Sequence, residues 1–453
     1  MNNLVEISKS GIKLAQKGLS TTAQNITNAQ SAGYTRKRLV SVPEQFSSGS
    51  GFSGLGVKAA DFDYLRDMRT ESMIQSKHHQ KSYLEQKSLV FSRLETSFVS
   101  DTGGDLDARM QNFLQSFASL AGSPSSQTKK AEVVREAQQL IGSIQQLDGA
   151  ISQQKEMVQE QALEAVGQVN RLMHDIHSLN EPIKQAMQRN QTAFDLMDQQ
   201  LLKIKELSSY LEVDVTRQEN GQVSMHMGGI ELMGEFGVNA LRTHSNPDGS
   251  GLELRFQRSG QLLSVQQGKL GALLELNNED LFELQEDLDA FVSNIVARVN
   301  HEHEQGISTS DTQSRSFFAV DGLSAKSIAL NSELVANPEL IAVTDPLVNS
   351  LNGAIAQNIA NITEAKLMEG KGPIEFSIDF ISRPGSEVAR VNDELALRTT
   401  ELELLDAQQQ QISGVNIDEE LSNMIQYQQA YQGAAKVLES AQIMYQTLLS
   451  IMQ

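Results

Sequence analysis

No cysteine and no tryptophan occur in the 453 residues, only eight residues are proline, and aromatic side chains make up 5%. Without thiols the chain can form no disulfide, no thiolate nucleophile and no thiolate zinc site, so its fold is independent of the redox state around it. Basic charge is also short: 37 Lys and Arg stand against 57 Asp and Glu, a formal net charge of -20. Phosphate backbones and anionic membrane surfaces repel the average face of such a molecule, so nucleic acid is not an expected partner. Long apolar runs are missing as well. No window approaches the roughly 18 apolar residues of a membrane-spanning helix, so no membrane insertion is expected. The opening Met1-Asn2-Asn3-Leu4-Val5-Glu6 shows no basic region leading into an apolar run, and hence no Sec-type signal peptide.

What is present favours long helices: Gln, Ala, Leu and Ser recur, and prolines rarely interrupt. From Asn3 to Ala29, bulky Val5, Ile12, Leu19 and Ile26 fall seven apart, and three residues later run the small side chains Ser8, Ala15, Thr22 and Ala29. Seven residues are close to two helical turns, so both columns share one stripe, and the small column admits another backbone. Gly11 and Gly18 cost that helix about 1 kcal/mol each relative to alanine, so it is expected to order on contact with a partner. The last segment repeats the pattern. After the turn Ser413-Gly414-Val415-Asn416, an unbroken column holds Ile417, Met424, Tyr431, Leu438, Tyr445 and Met452. Asp418, Glu419 and Glu420 stand at its start, where carboxylates suit the positive end of the helix dipole. The two bulky columns are expected to form subunit interfaces, left open until another molecule covers them. The bland alternative is an intramolecular helix bundle.

Between the ends, Ser31 to Thr35 reads as a helix stop and turn, followed by an extended stretch to about Pro43 and a looping glycine- and serine-rich insert from Ser47 to Gly56. Helix periodicity dominates Tyr64 to Phe98 and Leu106 to Tyr210, broken near 101–104 and 122–124. From Glu212 to about Gln266 the period turns towards two, in Val213 and Val215, in Val223, Met225 and Met227, and in Leu252, Leu254 and Phe256, with turns at Glu219-Asn220-Gly221 and Asn246-Pro247-Asp248-Gly249. Helix returns over 270–305 and from Leu351 onward, with an interruption at Gly370 to Gly385. The expected fold class is mainly α with a smaller β domain: an elongated helical bundle built from the N- and C-terminal segments, with an inserted β-rich domain. Three regions are expected: a terminal heptad-helix region of 1–63 with 405–453, a helical bundle of 64–210 with 270–305 and 346–404, and a β-rich outer domain of 211–269 with 306–345.

No motif in the sequence carries a catalytic or metal-binding pattern. Gly49-Ser50-Gly51-Phe52-Ser53-Gly54 has G-x-G-x-x-G spacing but neither a buried strand before it nor a clear helix after it, so a loop explains it better than a nucleotide site. His301-Glu302-His303-Glu304 lacks the i, i+4 histidine pair of a zinc hydrolase and reads as a solvated helix end. The pairs His174 with His177 and His78 with His79 read as surface histidines. In Glu283 to Asp289 leucines interrupt any calcium loop. There is no P-loop, no G-x-S-x-G elbow and no H-E-x-x-H, so no catalytic residue, metal site or cofactor is assigned.

Asn25-Ile26-Thr27-Asn28-Ala29-Gln30-Ser31-Ala32-Gly33-Tyr34-Thr35-Arg36 resembles the N-terminal signature of the flagellar rod, hook and hook-associated family, with Asn25, Asn28, Gly33, Tyr34 and Arg36 as the signature-turn residues. Ala32 departs from it, since proline often precedes the glycine there. The segment from Ser413 to Tyr431 is similar to the matching end signature, and in the interior Asp195 to Gln200, Ile204 to Ser208 and Gly268 to Glu275 resemble the hook-associated branch. The resemblance implies a non-enzymatic structural protein, exported by the flagellar type III route to the extracellular flagellum. Its implied partners are other copies of itself, the hook subunit, a second hook-associated protein and an export chaperone at the C-terminal region. A hook or rod subunit, a cytoplasmic coiled-coil scaffold and, more distantly, a hydrolase of surface polymers stay open as alternatives.

Overall fold

In the computed structural model the described residues are 2–31, 33–48, 51–99, 106–189, 193–246, 251–346, 352–366, 368 and 370–451. Met452, most of the Asn246 to Gly249 turn and the expected break at 101–104 lie outside them. The chain opens with helix α1 (Asn2–Thr27), followed by a hairpin of β1 (Lys37–Ser48) and β2 (Gly51–Tyr64). Helices α2 (Met68–Val99), α3 (Leu106–Ala121), α4 (Gln127–Gln188) and α5 (Phe194–Tyr210) come next. Then come the strands β3 (Asp214–Arg217), β4 (Val223–Met227), β5 (Ile230–Gly234), β6 (Gly237–Val238), β7 (Leu241–Ser245) and β8 (Leu252–Phe256). Helix α6 (Gly268–Glu275) passes through a π-helical turn, Leu276–Asp280, into α7 (Leu281–Glu304). The short α8 (Ser332–Ala336) and α9 (Ala354–Ala360) precede the long α10 (Pro373–Ser413) and α11 (Ile417–Ile451). The fold is mainly helical with a smaller β part, as the composition and periodicity indicate.

Two compact units share these elements. The first comprises 1–79, 169–239 and 398–453, and the second 80–168 and 240–397, so α2, α4 and α10 contribute to both. The first unit holds the terminal helices, the β1–β2 hairpin, α5 and a four-stranded antiparallel sheet in the order β3-β4-β5-β6. In β4 the alternation expected from Val223, Met225 and Met227 puts all three inside, while Asn180 of α4 joins the strand to the helix: its Oδ1 accepts from the Val223 amide and its Nδ2 donates to the Val223 carbonyl, both at 2.9 Å.

The second unit is organised around phenylalanines. Phe113, Phe117, Phe317 and Phe318 are fully buried with centroids 5.0 to 6.0 Å apart, and Phe98, Phe376 and Phe380 stack in a second group with Phe291. That second group explains one departure from expectation. The Gly370 to Gly385 stretch was expected to interrupt the helix, yet α10 begins at Pro373 and runs through Pro384 and Gly385. A proline inside a helix removes one hydrogen bond and crowds the preceding turn, but burial of Phe376 and Phe380 outweighs that local cost. The glycine- and serine-rich stretch from Ser47 to Gly56 is a second departure. Gln45 pairs with Gly54, Phe46 with Ser53 and Ser47 with Phe52, so backbone pairing rather than apolar alternation makes the hairpin. Segment 306–345 carries two isolated bridges, Ile307 with Thr344 and Phe318 with Leu330, both internal to it.

His303 holds that segment. It is not the solvated helix end expected from the sequence: its ring is fully buried, Nδ1 donates to the Arg315 carbonyl at 2.7 Å, and Nε2 accepts from the Ala342 amide at 3.0 Å. Those partners suit the neutral ring, and burial pushes its pKa down to about 4, with the hydrogen bond to the Arg315 carbonyl and the Glu304 charge raising it, and the Arg315 charge lowering it, by smaller amounts. The sign follows from linkage. An unfolded histidine takes up a proton below about pH 6.5, so the stability present above that pH is lost progressively as the pH falls towards 4, by about 3 kcal/mol. Urea unfolding of the wild-type chain is expected to show this loss between pH 7 and 4, and His303→Gln to flatten it. A loss of the same size in the variant would assign the titration elsewhere.

Candidate functional site

The site is built where the two ends of the chain meet. Helices α1 and α11 run antiparallel, and their contacts recur at heptad spacing. A Cβ added to Gly11 would lie 3.3 Å from the Ala434 Cβ, one added to Gly18 would lie 2.5 Å from ring carbons of Tyr427, and Asn25 donates to Glu420 at 3.1 Å. Each step of seven along α1 therefore matches a step of seven back along α11. The next residue of that α11 series, Ala441, is also buried. The glycines that weaken α1 as an isolated helix are what allow this approach. Hydroxyls buried on α1 bond back to its own carbonyls, Ser8 to Leu4, Thr21 to Lys17 and Thr22 to Gly18, so none is stranded. The β1–β2 hairpin also packs against α1, and Ser10 Oγ accepts from the Val57 amide at 3.3 Å.

The chain turn after α1 locks this pair at one end. Gly33 has a φ of +75°, where a side chain would also strike Leu202 at 2.5 Å, so only glycine suits the turn. Asn25, 1% exposed, uses its whole amide. Its Oδ1 accepts from the Tyr34 hydroxyl at 2.9 Å and the Lys37 amide at 3.1 Å, and its Nδ2 donates to the Lys37 carbonyl at 2.8 Å as well as to Glu420. Arg36 reaches across to α11: Nε meets Glu420 Oε1 at 2.8 Å, Nη1 and Nη2 meet Glu419 at 3.1 and 2.8 Å, and its amide donates to the Ser413 carbonyl at 3.0 Å. Thr35 bonds Asp198 at 3.0 Å and Lys37 pairs with Asp195 at 2.7 Å, tying α5 to the same turn. Burial, reinforced by Asp195, Asp198 and Glu420, pushes the Tyr34 phenol far above its ordinary range, so it remains a hydrogen-bond donor, and the Arg36 guanidinium holds the Glu419 carboxyl below its usual range. The start of α11 is capped, with Asn416 Oδ1 accepting from the Asp418 and Glu419 amides at 3.0 and 3.3 Å.

Of the five signature-turn residues, Asn25, Gly33, Tyr34 and Arg36 converge here. Asn28 does not; it bonds to the Gln24 carbonyl and Ser31 at the helix end. Tyr34 and Arg36 are spent inside the chain. The seam of α11 is the series Glu420, Tyr427, Ala434 and Ala441, one turn away from the column chosen for its bulk. In that column Met424 and Leu438 are half-buried, and Ile417, Tyr431 and Tyr445 are exposed. On α1, Val5, Ile12, Leu19 and Ile26 are all half-buried, while Ser8, Ala15 and Thr22 are buried. The signal that reveals the seam is the spacing of Gly11, Gly18 and Asn25 against the spacing of Ala434, Tyr427 and Glu420. Nothing here provides a nucleophile with a base beside it, and among the described residues no three His, Asp or Glu side chains gather to hold a metal. The arrangement is a clamp between chain ends.

Comparison with known proteins agrees with a structural role. The model of the flagellar hook-associated protein FlgK helical domain matches residues 91–318, half of the chain, and that of the flagellar basal body rod FlgEFG protein C-terminal region matches 408–451. Flagellar hook-associated protein 1 of Bacillus subtilis is 24% identical over 96% of this chain and 95% of its own length, and that of Salmonella typhimurium 20% over the whole of both. The solved flagellar hook junction protein FlgK from Burkholderia pseudomallei shares the fold, with a TM-score of 0.66 at 15% identity over 76% of this chain and all of that one. With its interior and its C-terminal helix both matching, the chain belongs to the flagellar hook-associated FlgK family and is a structural component of the flagellum, not an enzyme.

Proposed function

We propose that the chain joins hook to filament, polymerising with other copies of itself through the terminal helices. The observation that carries this reading is the state of α11. Among its described residues only Glu420 and Ala441 are buried, while Leu421, Ile425, Ile443, Met444, Leu448 and Ile451 are all exposed. Fully burying an aliphatic side chain is worth about 1.5–3 kcal/mol, so this face gains much from a neighbour and little from water. The register adds to it. With Gly11 opposite Ala434, Asn2 falls opposite Ile443, and Met444 to Ile451 extend past the beginning of α1. In this reading the region 1–63 with 405–453 forms the shaft core, contacting neighbours through Val5, Ile12, Leu19, Ile26, Ile417, Met424, Tyr431, Leu438, Tyr445 and Met452. The region 64–210 with 270–305 and 346–404 is a helical bundle that stiffens it, and 211–269 with 306–345 faces outward. The chain leaves the cell by flagellar export with a chaperone on its C-terminal region, and in the shaft it meets the hook subunit and a second hook-associated protein.

Electron microscopy of cells lacking the chain is the direct test. Complete hooks without filaments, with filament protein shed into the medium, are expected. Full-length filaments on such cells would refute the reading, and loss of the hook itself would favour a hook or rod subunit.

A further inference from the structure

The heptad match between α1 and α11 contains an ambiguity. Tyr427 needs a glycine beneath its ring, and α1 offers two of them one heptad apart, Gly18 and Gly11. Slide α11 by seven residues and Tyr427 lies over Gly11, Ala434 reaches Leu4, and the apolar seam is remade one layer shorter, with Ala441 past the start of α1. Sliding the other way puts Tyr427 on Asn25, which has no room. Apolar packing alone therefore permits two registers, differing by about 10 Å along the helix axis. The four steps from Ser413 to Ile417 reach at most about 14 Å, longer than the slide itself.

Among the described residues of the seam, one polar layer sets the two registers apart. Asn25 and Glu420 are 1% and 2% exposed, and in the observed register every hydrogen-bonding atom of the Asn25 amide is used and both oxygens of Glu420 are met, by Asn25 and Arg36. After the slide Glu420 would face Gly18 and the Asn25 Nδ2 would lose the carboxylate, leaving a buried charge without its partners. We propose that the Asn25–Glu420 layer, completed by Arg36, is the key that sets the register of the terminal helices, and so fixes how far α11 projects beyond α1. A single buried polar layer selecting among apolar registers is an established use of such groups in coiled coils. The consequence for assembly rests on α11 being the contact surface: in the slid state the projecting part would begin near Val437 instead of Met444.

Because the chain has no cysteine of its own, engineered pairs read the register directly. Gly11→Cys with Ala434→Cys reports the observed register, since the 3.3 Å Cβ separation is close to the span of a disulfide, about 3.5–4.5 Å. Leu4→Cys with Ala434→Cys reports the slid one. In the purified full-length chain the first pair is expected to close and the second to stay at background. Adding Asn25→Leu with Glu420→Leu, which removes both members of the polar pair together, is expected to raise closure of the second pair at least tenfold. Glu420→Gln, which can still bond to Asn25, is expected to keep the observed register. If the double variant closes only the first pair, the short connection sets the register and the proposal falls. If it closes both pairs only as slowly as the urea-unfolded chain, the helices have parted rather than slid, and it falls equally. None of these readings needs a shaft, so they separate failure of the key from failure of the polymer reading, which cells carrying the double variant would test through loss of filaments.

Discussion

A chain cut before Ile417 is expected to keep a folded middle and to be excluded from the shaft, with motility lost. The second unit takes no residue from α11, so its calorimetric transition should persist within a few degrees. The first unit fares differently. Helix α1 would lose the neighbour that receives Gly11 and Gly18, and as a lone helix it bears the cost of about 1 kcal/mol for each. Arg36 would lose both carboxylates and Asn25 one of its partners. Circular dichroism should therefore record the loss of the 35 residues of α11 together with much of the 26 of α1. Shafts of cells carrying only the shortened chain should contain none of it. Normal swimming by those cells would show that the terminal pair is dispensable, and the assembly reading would fail with it.

The largest effect on stability is expected in the second unit, from Phe317→Ala. Its ring meets Phe117 at 5.3 Å, Phe318 at 5.0 Å and Phe113 at 5.9 Å, with the His303 ring at 5.5 Å, and it has no exposed surface. Emptying such a position costs about 3–5 kcal/mol, because rigid neighbours collapse only partly into the space. For a unit of this size the melting temperature should fall by on the order of 10 °C. Phe236 is the matching control. It is 97% exposed at the turn between β5 and β6, and Phe236→Ala should change stability by less than about 0.5 kcal/mol. A change of similar size for both phenylalanines would mean that burial does not govern the outcome.

The helical character and both heptad ends are legible in the residue order because each rests on local periodicity. The seam between the ends is not, and the reason is physical. Bulk marks the Ile417 to Tyr445 column, whereas the face that meets inside one chain includes Gly11, Gly18, Ala434 and Ala441, whose value lies in what they leave out. Their place in the contact is visible only once the partner is set against them, and the same is true of the burial of Asn25 and Glu420, which a hydropathy pattern would put outside. The β1–β2 hairpin escaped for a related reason: Gly54 and Gly56 lack side chains to alternate, and backbone pairing with Gln45 and Glu44 carries the structure. The Gly370 to Gly385 stretch errs in the opposite direction, because its local signal for a break yields to the burial of Phe376 and Phe380.

The bond between Asn25 and Glu420 spans 395 positions of sequence. A ribosome makes α11 long after α1, so a chain that stops short of Ile417 has no partner for α1, however well its middle has folded. Closing so long a loop costs entropy that only a complete set of contacts repays.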